Sequence, residues 1–279
     1  MTKPPFDNRP PRDKSPKDTH YARLRRQHRE QNPVAPTDAP PEGRAWLYGL
    51  HTVRAAIGNP NRTIHKLIAS KNAMDRLTDG QTPALPFAVD IVHPKEIDAK
   101  LGSEAVHQGI MIETDILASK TLEDLYGATL VVVLDQITDP HNVGALIRSA
   151  VAMNADALVT TARHSPVESG VLAKAASGGL EFLPIVHVRN LANALTELNT
   201  RGFQTIGLDS EGPDVLENTL SGKAIALVLG SEGKGLREKT RQTVKSLARL
   251  DMPGEIKSLN VSNAAVLSLY VARAHLNRL

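Results

Sequence analysis

The stretch "LVLGSEGKGLRE", from Leu227 to Glu238, places three glycines, a glutamate and a lysine directly after an apolar run. Such a loop at the end of a strand is typical of a ligand site, because glycine lets the backbone come close to a ligand. Neither common glycine fingerprint matches Gly230, Gly233 and Gly235, which stand at first, fourth and sixth positions. Dinucleotide sites need first, third and sixth, and phosphate loops need Gly-Lys followed by Ser or Thr. The loop therefore predicts a ligand without naming it.

A second polar stretch, "QITDPHNVGALIRSA" from Gln136 to Ala150, follows the apolar run "LVVVLD". Ligands of parallel α/β sheets bind where strands end, which makes Asn142 and Arg148 candidate site residues. A purely structural interpretation fits these residues equally well: Asn142 caps the next helix and Arg148 forms a surface ion pair. Glu232 has the same two interpretations, as a helix cap or as the partner of a ligand or a neighbouring arginine.

A third stretch, "DMPGEIKSLNVSNAA", contains a proline-glycine turn and then Ser258, Asn260, Ser262 and Asn263. Small polar side chains and free backbone amides at the start of a helix can hold polar ligand groups. Capping explains one of these four residues but not all of them. The three stretches together predict a binding crevice, although they do not specify a reaction.

The elements that must position these residues follow from the apolar pattern. From Thr129 onward, strands that are apolar throughout alternate with helix-like segments, which predicts a parallel sheet covered by helices on both faces. The last segment, from Asn260, predicts a helix that is apolar almost all round and is buried in its own core or against a partner. The predicted strands are "LVVVLD", "ALVTT", "FLPIVHV", "FQTIGLD" and "AIALVLG".

Residues 44–117 predict a smaller α/β unit, and residues 118–128 predict a linker to the larger unit at 129–279. The first helix of the smaller unit should carry Leu50, Val53, Ala56 and Ile57 on one face. Further helical pieces are expected at about 72–77 and 94–101. The predicted strands of this unit are "IHKLIAS", "FAVDIVH" and "GIMIETDIL".

Residues 1–43 hold nine of the 18 prolines and nine Lys or Arg against six Asp or Glu, which accounts for the whole net charge of +3. This composition predicts a disordered basic tail, either simply solvated or binding nucleic acid. The chain has no cysteine, and its histidines lack metal-ligand spacing, so we expect neither disulfides nor a metal site. No apolar run is long enough for a membrane helix or placed as a secretory signal, and we expect a cytoplasmic protein.

"DPHNVGALIRSA", "LVLGSEGKGL" and "MPGEIKSLNVSNAA" resemble, in order and spacing, the three motifs of the SpoU/TrmH-type RNA ribose 2'-O-methyltransferases of the SPOUT superfamily. "LYGLHTVRAAI" and "HQGI" resemble the subgroup that modifies a guanosine of 23S ribosomal RNA and carries a small ribosomal-protein-like substrate domain first. The resemblance runs from about Leu47 to the end of the chain.

The resemblance implies a parallel sheet with a C-terminal trefoil knot, a homodimer, and S-adenosylmethionine as cofactor. It places the cofactor contacts on Gly230, Leu250 and Leu259. It places the catalytic set on Asn142, Arg148, Glu232, Ser258 and Asn260. Asp251 departs from the family pattern, where many relatives have an apolar residue or proline.

The implied reaction is methyl transfer from S-adenosylmethionine to a ribose 2'-hydroxyl. A guanidinium is very hard to deprotonate, so we expect Arg148 to position the hydroxyl or a phosphate rather than act as base, with Glu232 orienting it. Alternatives are a transfer-RNA methyltransferase and a catalytically inactive RNA-binding assembly factor. An oxidoreductase is disfavoured by the missing dinucleotide fingerprint, and no DNA partner is expected.

Overall fold

The N-terminal part of the described chain, up to Asp115, forms a small four-stranded sheet with strand order β1-β4-β2-β3. The structure, a computed structural model, describes residues 39–81, 84–163 and 165–277, so most of the predicted tail lies outside it. The predicted strands and helices of this unit are confirmed, and β1 is an additional strand. The strands are β1 (Arg44–Tyr48), β2 (Ile64–Ala69), β3 (Ala88–Ile91) and β4 (Ile110–Asp115), and the helices are α1 (Leu50–Gly58), α2 (Lys71–Thr78) and α3 (Pro94–Leu101).

The larger, C-terminal part, from Leu130 onward, forms a seven-stranded sheet with order β7-β6-β5-β10-β8-β11-β9. Every pair of neighbouring strands is parallel, as the continuous apolar runs predicted. β5 is fully buried along its length, since helices cover both faces. The strands are β5 (Leu130–Asp135), β6 (Ala157–Thr161), β7 (Ile185–Val188), β8 (Gln204–Leu208), β9 (Asp214–Val215), β10 (Ile225–Gly230) and β11 (Ser246–Arg249).

The sequence pattern did not predict β9 and β11. β9 has only two residues, and β11 is the short run "SLAR", so neither shows an apolar run of the usual strand length. β11 forms because it lies between β8 and β9, which satisfy its backbone groups on both sides.

Six helices cover the large sheet: α4 (Pro140–Ala152), α5 (Gly170–Ala176), α6 (Leu191–Thr200), α7 (Leu216–Thr219), α8 (Glu238–Thr243) and α9 (Val261–Leu276). Short 3₁₀ turns occur at Glu123–Leu125 in the predicted linker and at Gly179–Glu181. Among the described residues no helix is long and apolar enough to span a membrane.

The last helix, α9, is buried on one face only. Ala265, Leu269 and Ala272 are fully buried, whereas Leu267 and Tyr270 are 48% and 64% exposed. The sequence predicted that this helix is buried either in the core of its own chain or against a partner. The core of its own chain covers one face. The opposite face has no cover within the described chain.

The small unit is docked onto the large one along β1 and α5. A side chain at Gly170 could not be accommodated, because its Cβ would lie 2.3 Å from the Tyr48 ring and 2.5 Å from the Trp46 carbonyl oxygen. The Lys174 Nζ donates to Gln108 Oε1 at 2.8 Å, and the Thr52 hydroxyl donates to the Ala173 carbonyl at 3.2 Å.

A buried ion cluster completes this interface. The Arg62 guanidinium of the small unit is fully buried and contacts Glu168 at 2.5 Å and Glu181 at 2.6 Å, both in the large unit. It also donates to the Asp115 carbonyl oxygen at 3.0 Å. Burial raises the pKa of the Glu168 carboxyl, and the charge of Arg62 opposes that rise. The two units are thus joined by a largely buried ion cluster.

We predict that Arg62→Met will lower the free energy of unfolding by about 3–5 kcal/mol, because it leaves two carboxylates buried without a counter-charge. Urea unfolding measures the change. Arg54→Met is the matched control: Arg54 is half exposed and lies 3.6 Å from Asp79, so its loss should cost at most about 1 kcal/mol. Equal small losses in both variants would contradict the prediction.

Candidate functional site

The loops that carry the three polar stretches meet at one edge of the large sheet. Since all its strands are parallel, their carboxyl ends lie together. β5 and β10 are direct neighbours, with Asp135 opposite Gly230 at their ends. The chain after each strand end leads into a polar stretch, so the predicted crevice has a structural basis.

Three of the predicted catalytic residues are in direct contact at this edge. Asn260 Nδ2 donates to Glu232 Oε1 at 2.7 Å and to Asn142 Oδ1 at 3.0 Å. Asn142 Nδ2 lies 3.5 Å from the same Glu232 oxygen. Each residue comes from a different stretch, and we call these three residues the polar cluster.

The capping roles differ from the purely structural interpretations. Asp139, not Asn142, caps α4 by accepting from the His141 amide at 3.0 Å. Asn260 caps α9 by accepting from the Ser262 amide at 2.9 Å. Glu232 does not cap α8, the helix that follows it, but accepts from the Val261 amide at 3.2 Å, in the first turn of α9.

Glu232 uses one carboxylate oxygen for all these contacts. Oε1 receives the two asparagine amides and the Val261 amide. The other oxygen, Oε2, takes no donor from the part of the chain that the structure describes. It is available to a bound substrate, because the residue is exposed.

Arg148 stands apart from the polar cluster. It is exposed on α4, six residues and therefore about 9 Å along the helix axis after Asn142. Within the described ranges its side chain forms neither a hydrogen bond nor an ion pair. The expected Glu232–Arg148 contact is thus absent among these residues, and so is the surface ion pair of the alternative interpretation.

The glycines of the loop after β10, the first polar stretch, have a geometric explanation. A Cβ on Gly230 would lie 2.2 Å from the carbonyl carbon of Gly235, so only glycine lets the loop close on itself. The Gly235 amide donates to the Ser231 carbonyl at 2.9 Å, and Gly233 and Gly235 have φ of 77° and 63°. Glycine at these positions gives the loop its shape, whatever the loop binds.

A contact that the sequence reasoning missed holds this loop to β5. Asp135 is completely buried and accepts from the Arg237 amide at 3.0 Å and from Arg237 Nε at 2.6 Å. The signal in the sequence was an acidic residue at the end of a strand that is otherwise apolar, since a buried carboxylate requires a partner.

The remaining predicted residues lie on the chain between β11 and α9. Leu250 is half-buried against the core, Ser258 is exposed, and Leu259 is 41% exposed. Residues 251–260 form neither helix nor strand. No group of three metal-ligating side chains occurs among the described residues.

Two protein-family models match the chain. The model of the SpoU rRNA methylase family matches residues 129–270, and the model of the RNA 2'-O ribose methyltransferase substrate-binding domain matches residues 46–119. A protein of Ralstonia nicotianae named 23S rRNA (guanosine-2'-O-)-methyltransferase RlmB is 34% identical over 81% of this chain and 94% of its own length. The protein of that name from Pseudomonas aeruginosa is 33% identical over 80% and 94%.

Solved structures show a similar fold. The SpoU methyltransferase AviRb of Streptomyces viridochromogenes, in complex with AdoMet, has a TM-score of 0.71 at 20% identity and covers 94% of this chain and 98% of its own. An AdoMet-bound rRNA methyltransferase of Sinorhizobium meliloti has a TM-score of 0.67 at 22% identity, covering 94% and 95%.

We predict that Asp135→Asn will accelerate amide hydrogen exchange in residues 231–237, because the loop loses a buried charge-assisted contact worth about 1–3 kcal/mol. Mass spectrometry of exchanged peptides measures this. Asp156→Asn is a matched control, since Asp156 accepts from the Thr129 and Leu130 amides at the opposite edge of the sheet. Unchanged exchange of the loop in Asp135→Asn would show that other contacts hold it.

Proposed function

Since the chain belongs to the SpoU rRNA methylase family, we propose that it transfers a methyl group from S-adenosylmethionine to the 2'-hydroxyl of a guanosine in 23S ribosomal RNA. The observation that carries this proposal is the polar cluster, which joins three separate family motifs at one edge of the sheet. The substrate follows the relatives named for this reaction, which match four fifths of the chain.

S-adenosylmethionine supplies an electrophilic methyl group on a sulfonium, and it has no phosphate. The chain fits such a group: the glycine-rich loop lacks both phosphate-binding fingerprints, and the half-buried Leu250 and part-exposed Leu259 offer apolar contacts for a base. We assign cofactor contacts to Gly230, Leu250 and Leu259. Asp251 is exposed, so its departure from the family pattern leaves these contacts open to the cofactor.

The residues of the polar cluster would act by positioning. Asn260 and the start of α9 hold Glu232, whose second oxygen can accept a hydrogen bond from the 2'-hydroxyl, while Asn142 is placed to bond the same ribose. Ser258 is exposed near the start of the same helix and is assigned to substrate contact.

Arg148 would bind the substrate rather than remove its proton. Its guanidinium has no partner in the described chain, so it is available to the RNA phosphate beside the reacting ribose. A guanidinium holds a phosphate by two parallel hydrogen bonds, which would fix the hydroxyl for in-line attack.

The domain assignment supports this function. We propose an RNA substrate-binding domain at 44–117, a linker at 118–128, the catalytic domain at 129–279 and an RNA-contacting tail at 1–43. We also propose a trefoil knot, supported by the path of the chain: β11 lies near one edge of the sheet, and α9 returns to pack on α4 and β10 near its centre.

We propose that the enzyme is a homodimer that acts in the cytoplasm on ribosomal RNA. The uncovered face of α9, with Leu267 and Tyr270, supports the dimer, because exposed apolar residues on one helix face suit burial against a second copy. α9 packs on α4, the helix that carries Arg148.

We expect the protein to methylate unmodified 23S ribosomal RNA with labelled S-adenosylmethionine, and we expect no labelling of tRNA. Methylation of the ribose makes the adjacent phosphodiester bond resistant to alkali, which identifies the product. Arg148→Ala should reduce transfer at least about 100-fold with nearly unchanged cofactor affinity, because misplaced reactants lose their alignment. Lys239→Ala, an exposed cation on α8, is the control. Labelling of tRNA alone would change the proposed substrate to tRNA. Absence of both labelling and cofactor binding would overturn the proposal.

We expect Leu267→Glu to convert the dimer to a monomer, because it buries an unpaired carboxylate in the interface. Sedimentation or light scattering measures the mass. Val106→Glu, a 58% exposed position in the small unit, should stay dimeric. A monomeric wild-type protein would refute the proposed dimer.

A further inference from the structure

A cavity of about 620 Å³ lies between the two units, on the side of the large sheet that faces the small unit. Asn61 and Ile116 of the small unit form part of its wall, and Phe182 of the large unit forms another part. The linker contributes Ser119 and Lys120, which run beside β7 through a single parallel bridge between Lys120 and Val186.

The cavity reaches the start of α4, which also carries a residue of the polar cluster. Val143 lines the cavity and directly follows Asn142 in the first turn of α4. The first turn of α4 therefore connects the cavity with the polar cluster. The Arg62 ion cluster fixes the distance between the two walls.

The walls are mostly apolar and include an unusually exposed aromatic ring. Phe182 is 67% exposed at the cavity, and Val167 beside it is 73% exposed. Of the phenylalanines within the described ranges, Phe203 is buried and Phe87 is part-buried. An exposed ring is the feature on which proteins stack unpaired nucleic-acid bases, since every base has a π-face.

Two cations at the cavity can contact a phosphate. The two carboxylates of the wall, Glu168 and Glu181, are both bound to Arg62, which offsets one of their two negative charges. Lys120 is exposed in the wall, and Arg163 directly follows Ala162, another wall residue. Arg163 forms no ion pair in the described chain, and Lys120 lies near the exposed carboxylate of Asp124 without forming a hydrogen bond to it.

We propose that this cavity binds an unpaired base of the RNA substrate, a neighbour of the methylated nucleotide, with its ring stacked on Phe182 and its phosphate near Lys120. The inference rests on the proposed function, because it takes the polar cluster as the place of methyl transfer. In this arrangement both units recognise the RNA, rather than the small unit alone.

The test measures binding and methylation of unmodified 23S ribosomal RNA fragments by wild-type protein, Phe182→Ala and Phe182→Trp. Phe182→Ala should weaken RNA binding about tenfold, the scale of one lost base stack, and leave S-adenosylmethionine affinity unchanged. Phe182→Trp should retain binding, because a larger ring still stacks. Lys120→Ala should weaken binding and reduce its salt dependence by about one phosphate contact.

Tyr126→Ala is the matched control, since Tyr126 is a 99% exposed aromatic residue that is not part of the cavity wall. If Phe182→Ala binds and methylates RNA as well as the wild-type protein does, the inference is overturned and the proposed function stands. A change in oligomeric state of Phe182→Ala would also overturn it, by placing the ring in a subunit interface. If wild-type protein methylates no RNA, the proposed function fails instead.

Discussion

The pairing of β5 with β10 is the constraint on which the site depends. These strands are distant in the sequence, yet their parallel register brings Asp135 beside Gly230 and so places two polar loops at one edge. Asp135 then binds Arg237 and holds the second loop in place. Without that register, Asn142 and Glu232 would not be neighbours, and Asn260 would have no partners for the start of α9.

A second constraint fixes the position of the small unit relative to the large unit, which carries the polar cluster. The Arg62 ion cluster links the small unit to the large one through largely buried charges, and close packing of Gly170 against Tyr48 leaves little freedom at the interface. A linker alone would let the units move relative to each other. Because the Arg62 ion cluster holds them together, the cavity that contains Phe182 has defined walls on both sides.

Prediction from the sequence succeeded where periodicity or composition is strong. The long apolar strands, the helix from Leu50 and the helix after Asn260 were all found, because each buries a continuous apolar surface. It missed β9 and β11, whose pairing depends on neighbours rather than on their own residues. It also expected Glu232 to hold Arg148, whereas the structure joins Glu232 to Asn142 and Asn260.

By itself, the sequence determined the class of fold, the order of the elements and the three polar stretches, because burial patterns and loop residues are local properties of the chain. Only the tertiary structure decided which polar residues touch, which oxygen of Glu232 stays available, and that Arg62 is an interdomain residue. Those facts depend on strand register and on the packing of helices far apart in the sequence. A local pattern contains no information about either.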